Sequence, residues 1–237
     1  MVNKGKQHLK HTVMHSTSQK TKVAIIGLGN IGRAIASNLV KGSHPVIISS
    51  REINKAQSFA SELGILATAE ETAKAIKDAD IIIPTIYFDK IKDFLSQYAS
   101  ELKGKIIIDV SNPIAPDGQG GFKKIIDKDI SAGQVLLDLT PKETHFVKAF
   151  GTLGASSLSE AAFTEPHRKV LFYASDSTNS NKQVEELITD SGFQPLHIGG
   201  INQSIRIEVF GDLHEFGALG KTVTLEEAKK TLNGQNN

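Results

Sequence analysis

The apolar positions of this chain fall into two alternating rhythms. Unbroken apolar runs occur at 23–26 (VAII), 46–48 (VII), 81–83 (III) and 106–108 (III), each bounded by polar or turn residues. Such runs read as parallel strands covered on both faces. Between them apolar residues recur at helical spacing. Ile31, Ala34, Ile35 and Leu39 lead to Lys41-Gly42, and Ile53, Ala56, Phe59, Ala60 and Leu63 lead to Gly64. A cation followed by glycine is an expected helix end. A short strand at 65–68 and a short helix at 70–77 precede the strand at 80–83, which halts at Pro84. A helix at 88–102 and a strand at 105–110 follow.

The rest is less regular. Residues 115–133 are rich in Gly and Asp and read as a mobile insertion, a lid candidate. A helical remnant at 135–139 is followed by a strand at 145–150 and a loop of small residues at 151–154 that could face a flat ring. A strand at 169–174, a helix at 182–189 and a strand at 193–198 come next. Over 201–220 the pattern fits both periods, because Ile205, Ile207 and Val209 alternate while Ile201, Ile205, Val209, Leu213 and Phe216 recur about every four. A helix broken near Gly211 or Gly217 is the preferred reading. Thr224-Leu225-Glu226-Glu227 is a capping box for a last short helix. Strand and helix alternating in this way predict an α/β fold, a Rossmann-type doubly wound and mostly parallel sheet. The division expected is a polar, disordered tail over 1–21, a nucleotide-binding domain over 22–200 and a small C-terminal helical appendage over 201–237.

Gly27-Leu28-Gly29-Asn30-Ile31-Gly32 follows the first strand and opens the first helix, giving the G-x-G-x-x-G spacing in its proper context. Gly27 allows the tight turn, Gly29 lets backbone approach a pyrophosphate, and Gly32 lets helix pack on strand. The helix N-terminus would hold the pyrophosphate through free N–H groups and its dipole. The second strand ends in Ser49-Ser50-Arg51, where NAD-selective proteins place an acid on the ribose 2′-hydroxyl. A guanidinium with hydroxyl donors suits a 2′-phosphate instead, so the expected ligand is NADP. Lys55, one turn further on, could add charge; Glu52 reads as a first-turn acid favoured by the helix dipole.

Two further turns lie where parallel strands end, the edge at which open α/β sheets bind ligands. The loop Pro84-Thr85-Ile86-Tyr87 could pack on the adenine, the ribose or the nicotinamide. Ser111-Asn112-Pro113 either meets the nicotinamide ribose or carboxamide, or is turn chemistry demanded by the proline. Asp212, His214 and Glu215 read either as catalysts or metal ligands or as a polar loop.

Composition narrows the class without adding to the site. A net charge of +1 suggests neither nucleic acid nor a membrane surface as partner. With no cysteine there are no disulfides, thiolate metal sites or thiol nucleophiles. No apolar run approaches the ~18 residues that span a bilayer, so a cytoplasmic location is expected. The acid-free segment 1–21 carries His8, His11 and His15 but lacks the apolar core and arginines of a targeting peptide. No metal is expected.

The glycine loop GLGNIG, the SSR segment, the DVSNP turn, the VKAF strand and the small C-terminal tail occur in that order. Together they resemble the deazaflavin (coenzyme F-420)-dependent NADP reductase family, and the fold is similar to the reductase domain of six-transmembrane metalloreductases. The resemblance covers 22 to about 232. The loop differs, reading GLGN where that family often carries GGTGN. The resemblance implies phosphate contacts at Ser50 and Arg51 and pyrophosphate contacts from Gly29 to Gly32. It also implies a second flat cofactor, coenzyme F-420 or a flavin, in a cleft bounded by Pro84, Asn112 and Phe150-Gly151. Hydride transfer between stacked rings needs a donor-to-acceptor separation of about 3–3.5 Å and little side-chain chemistry. No catalytic acid or base is therefore assigned. The expected function is hydride transfer between NADP(H) and a flat small-molecule acceptor that is a deazaflavin, flavin or quinone-like ring, with a homodimer as an open possibility. The alternatives are an imine or carbonyl reductase similar to pyrroline-5-carboxylate reductase, and a non-catalytic NADP-binding redox regulator.

Overall fold

The computed structural model describes residues 20–234, so His8, His11 and His15 and nearly all of the expected tail lie outside the described residues. Ten strands and eight α-helices are formed among them. β1 (Val23–Ile26), α1 (Asn30–Lys41), β2 (Val46–Ser49), α2 (Ile53–Leu63), β3 (Ala67–Ala69), α3 (Thr72–Asp78), β4 (Ile81–Pro84), α4 (Phe88–Gln97) and β5 (Ile106–Asp109) make the first half. β6 (Ile114–Pro116), β7 (Phe122–Lys124), α5 (Ala132–Leu139), β8 (His145–Lys148), α6 (Ala155–Glu160), β9 (Val170–Ser175), α7 (Thr178–Asp190) and β10 (Gln194–His197) follow. A 3-10 helix (Ile201–Ile207) and α8 (Leu225–Gly234) end the chain.

The main sheet runs β10-β9-β8-β5-β4-β1-β2-β3. Its β3-β2-β1-β4-β5 portion is the doubly wound order, which reverses direction beside β1 and leaves a crevice at the carboxyl ends of β1 and β4. β8 extends the parallel set, and β9 pairs with β8 antiparallel. The expected fold class stands.

The buried runs explain both layers. Successive side chains of a strand point to opposite faces. Val23, Ile25, Ile81 and Ile83 therefore face a core shared with Ile35, Leu39 and Phe59 of α1 and α2. Ala24, Ile26 and Ile82 face a second core with Ile76, Ile91 and Leu95 of α3 and α4.

Several boundaries differ from the sequence reading. β3 begins at Ala67 because Ala67 N–H closes a turn on the Gly64 carbonyl (3.0 Å), which leaves Ile65 fully exposed. α4 stops at Gln97 rather than at 102. Gly42 is not a left-handed cap, with φ −81; the left-handed residue is Ser43. Glycine is needed at 42 because a Cβ would stand 1.7 Å from the Asp190 carbonyl oxygen, where α7 crosses. The stretch expected as a lid contains the β6–β7 hairpin, whose turn is held by Asp117 Oδ1 accepting the N–H groups of Gln119 and Gly121 (2.7 and 2.9 Å). α5 starts at Ala132 rather than 135, and α6 was not foreseen. Over 201–220 the broken helix is replaced by the 3-10 helix and irregular turns.

Candidate functional site

The glycine turn is built from both sides. Gly27 has φ +114, donates its N–H to the Ser49 carbonyl (2.8 Å), and a Cβ there would stand 2.7 Å from the Thr85 carbonyl oxygen. A Cβ at Gly32 would lie 2.3 Å from the Gly27 carbonyl oxygen, so helix and turn are in contact. Gly29 is different: it is the N-cap of α1, and a Cβ there meets nothing within 4 Å. α1 has no side-chain cap and no acid in its first turn. Its leading N–H groups, left over from the helix ladder, therefore present a positive end beside that open space. Asn30, Ile31 and the half-buried Leu28 complete the turn.

Pro84 is buried at the end of β4 in register with Ile26. The Thr85 hydroxyl donates within the protein, to the carbonyls of Gly27 (2.7 Å) and Ile26 (3.2 Å). This loop thus buttresses the glycine turn from below. Tyr87 is exposed.

At the end of β2, Ser50 Oγ donates to the Glu52 carbonyl (2.6 Å), and Lys55 Nζ pairs with Glu52 Oε1 at 2.7 Å on the open surface. Arg51 is exposed and makes no hydrogen bond or ion pair with the described residues. The charge available to an anion in this corner is therefore that of Arg51, while Lys55 is already balanced. A second guanidinium, not foreseen, stands nearby in sequence: Arg33 of α1 lies with Cζ 4.4 Å from the Phe59 ring centroid of α2. Its place directly after Gly32 was the signal that could have found it.

The carboxyl ends of β5 and β8 form a second, tightly bonded corner. Asn112 Nδ2 donates to the Gly151 carbonyl (2.9 Å), and Asn112 Oδ1 accepts the Val209 N–H (2.7 Å). Gly151 fits because a Cβ would come 2.8 Å from the Val110 carbonyl oxygen. Before it, fully buried Phe150 adopts φ +61, a conformation costly for an aromatic residue and held by its surroundings. Pro113 is buried. Two hydroxyls of this corner, Ser111 Oγ and Thr152 Oγ1, are buried without a hydrogen-bond partner among the described residues. Lys148 and Asp109, both fully buried, pair at 2.6 Å beneath the turn. Neither is among the site residues expected from sequence; the signal for both is polar intrusion into buried strands, a lysine inside HFVKAF and an aspartate ending IIID.

The trio Asp212, His214 and Glu215 is split three ways. Asp212 accepts a two-pronged bond from Arg206 (Nη2 to Oδ2 2.8 Å). Buried Glu215 accepts from Ser157 Oγ (2.6 Å) and from the Gly154 N–H. His214 Nδ1 accepts the Phe216 N–H (2.9 Å), which leaves Nε2–H to donate to the Gly151 carbonyl (2.9 Å) and fixes the neutral tautomer. Glu208 accepts the N–H groups of Ala132 and Gly133 (2.9 and 2.8 Å) at the start of α5. Burial opposes its ionisation, but the Lys148 charge and those two N–H groups outweigh it and hold the carboxyl below its ordinary range.

Burial, aided by the Lys148 charge and opposed by the Gly151 bond, pushes His214 down to about 4. Its folded form resists a proton that the unfolded chain takes up near 6.5. The stability it lends is therefore complete above that pH and is lost as pH falls towards 4. Urea unfolding at pH 7, 5.5 and 4.5 should show wild type losing up to about 3 kcal/mol more than His214→Gln. Parallel pH profiles would contradict the neutral assignment.

Residues 22–113 match the family described as NADP oxidoreductase coenzyme F420-dependent. The metalloreductase STEAP3 of Rattus norvegicus is 28% identical over 187 residues, covering 79% of this chain. The chain spans only 36% of that protein's length. The F420-dependent NADP reductase of Methanothermobacter marburgensis is 27% identical over 198 residues, covering 79% of this chain and 88% of its own. Among solved structures, a hypothetical protein from Sinorhizobium meliloti superposes with a TM-score of 0.75 at 31% identity, covering 86% of this chain and 95% of its own. No helix among the described residues is long and apolar enough to cross a membrane. With the doubly wound sheet, the open helix N-terminus behind Gly29 and an Arg51 unpaired among the described residues already in place, the chain is similar over residues 22–113 to the coenzyme F420-dependent NADP oxidoreductase family and over 79% of its length to an F420-dependent NADP reductase.

Proposed function

We propose that this chain moves hydride between NADP(H) and a flat redox ring, a deazaflavin, flavin or quinone-like acceptor. The observation that carries the reading is the commitment of the polar side chains around the second corner. Asn112, His214, Glu208, Glu215, Lys148 and Asp109 all spend their hydrogen bonds inside the protein. Such a corner is built to hold a ring in place rather than to pass a proton, which suits ring-to-ring hydride transfer.

The residues fit the cofactor. The leading N–H groups of α1, with Gly29 leaving room, would take the pyrophosphate across Gly27 to Gly32. Arg51 would take the 2′-phosphate, with Ser50 turning its hydroxyl from the Glu52 carbonyl, while Lys55 stays paired with Glu52. Pro84, Thr85 and Pro113 would shape the wall along which the cofactor crosses to the second corner. There the unfilled hydroxyl capacity of Ser111 suits a carboxamide, and Asn112 fixes the turn that carries it. NADPH when bound supplies the hydride; the protein supplies orientation and a dry floor.

The test is NADPH oxidation followed by absorbance at saturating cofactor, with coenzyme F-420, FMN, a quinone and a cyclic imine as separate acceptors. Turnover with one or more of the three rings and little with the imine is the expected result. Oxidation with the imine alone, or tight NADPH binding with no turnover on any acceptor, would overturn the proposal.

A further inference from the structure

We propose that Lys148 is a positioning residue for the nicotinamide end of the cofactor, acting through the turn that follows β5; this rests on the cofactor reading above. Lys148 sits in β8 between buried Val147 and Ala149 and is itself fully buried. A cation in that place costs several kcal/mol in desolvation, and a buried pair is commonly replaceable by packed apolar side chains without loss of stability. Fold stability alone is thus a weak reason for a lysine in this strand.

The bonds it makes supply a reason. Nζ binds Asp109 Oδ2 at 2.6 Å and also the Ser111 carbonyl. The other oxygen of the same carboxylate, Oδ1, accepts the Ser111 N–H at 2.9 Å. The ion pair therefore grips both backbone polar groups of Ser111, one through each partner, and leaves its hydroxyl without a partner among the described residues. The next residue, Asn112, ties the turn to Gly151, three residues beyond Lys148 on the neighbouring strand. A side chain of β8 thus sets the peptide planes of the β5 turn, and the two strand ends are locked as one floor. Orientation of a reacting ring is the property such a lock controls.

The cofactor's own light reports on this without any acceptor. Bound NADPH emits more strongly and to the blue when its nicotinamide is clamped, while affinity is carried mainly by the phosphate end. Lys148→Met should bind NADPH with a Kd within about threefold of wild type, since remote binding energy is untouched, yet lose most of the emission gain at saturation. Arg51→Ala should show the converse, a weak Kd with the full gain once saturated. Should Lys148→Met fail to fold, the paired variant Asp109→Asn with Lys148→Met removes both members of the buried pair, leaves Glu208 its N–H bonds from Ala132 and Gly133, and carries the same test. Full emission gain in the folded variant overturns the positioning role. So does a loss of affinity in proportion to a lowered melting temperature with the gain at saturation kept, the mark of a merely structural lysine. Wild-type protein that does not bind NADPH overturns the cofactor reading itself, and this inference with it.

Discussion

Replacing Arg51 with alanine is expected to weaken NADPH binding by an order of magnitude or more while leaving NADH nearly unchanged. The guanidinium is exposed and makes no hydrogen bond or ion pair with the described residues, so its removal breaks no such bond among them. A charged hydrogen bond contributes about 1.5–3 kcal/mol, which at about 1.4 kcal/mol per decade is roughly tenfold to over a hundredfold in Kd. Lys55 should matter much less, because Glu52 already balances it at 2.7 Å. Fluorescence titration of both nucleotides against both variants is the measurement. Equal losses for NADPH and NADH in Arg51→Ala would show that this residue does not read the phosphate.

The glycines of the turn should separate fold from binding. At Gly29 a Cβ meets nothing within 4 Å, and φ is −68, so alanine is accommodated by the protein. The stability change should stay within about 1 kcal/mol, the size of an N-cap effect. The methyl group would, however, occupy the space through which a pyrophosphate reaches the helix N-terminus, and nucleotide affinity should fall at least ~tenfold. At Gly32 the same substitution puts Cβ 2.3 Å from the Gly27 carbonyl oxygen and 2.5 Å from Thr85 Oγ1. Overpacking of that kind costs about 1–3 kcal/mol, on the order of 2–4 °C in melting temperature per kcal/mol for a chain of this size. Thermal melts with and without NADPH distinguish the two. A Gly32→Ala protein as stable as wild type, or a Gly29→Ala protein with unchanged affinity, would contradict these roles.

The half of the site nearest β1 was legible because its signals are local. Strand, glycine turn, helix cap and Ser50-Arg51 each depend on neighbours within a few residues, and the open space at Gly29 is where the G-x-G-x-x-G spacing places it. The second corner was not legible in this way. Asn112 reads as a ligand-binding or turn residue, but its bonds go to Gly151 and Val209, 39 and 97 residues away. Thr85 points to ligand by its position at a strand end, yet its hydroxyl serves the Gly27 carbonyl. Period alone could not resolve 201–220, where apolar side chains anchor irregular backbone against the second core. Asp212, His214 and Glu215 adjoin in sequence and part company in space, because each answers a different segment.

That dispersal bears on how the molecule comes together during synthesis. Chain emerging from a ribosome only as far as residue 110 already contains β1 to β5 and the intact glycine turn. The partners of Asn112, Gly151 and Gly154 arrive far later, at Val209, His214 and Glu215. The part that carries the glycine turn can thus be complete in a nascent chain before the second corner exists. A dinucleotide that bound this early unit would stabilise it by mass action while the remainder is translated.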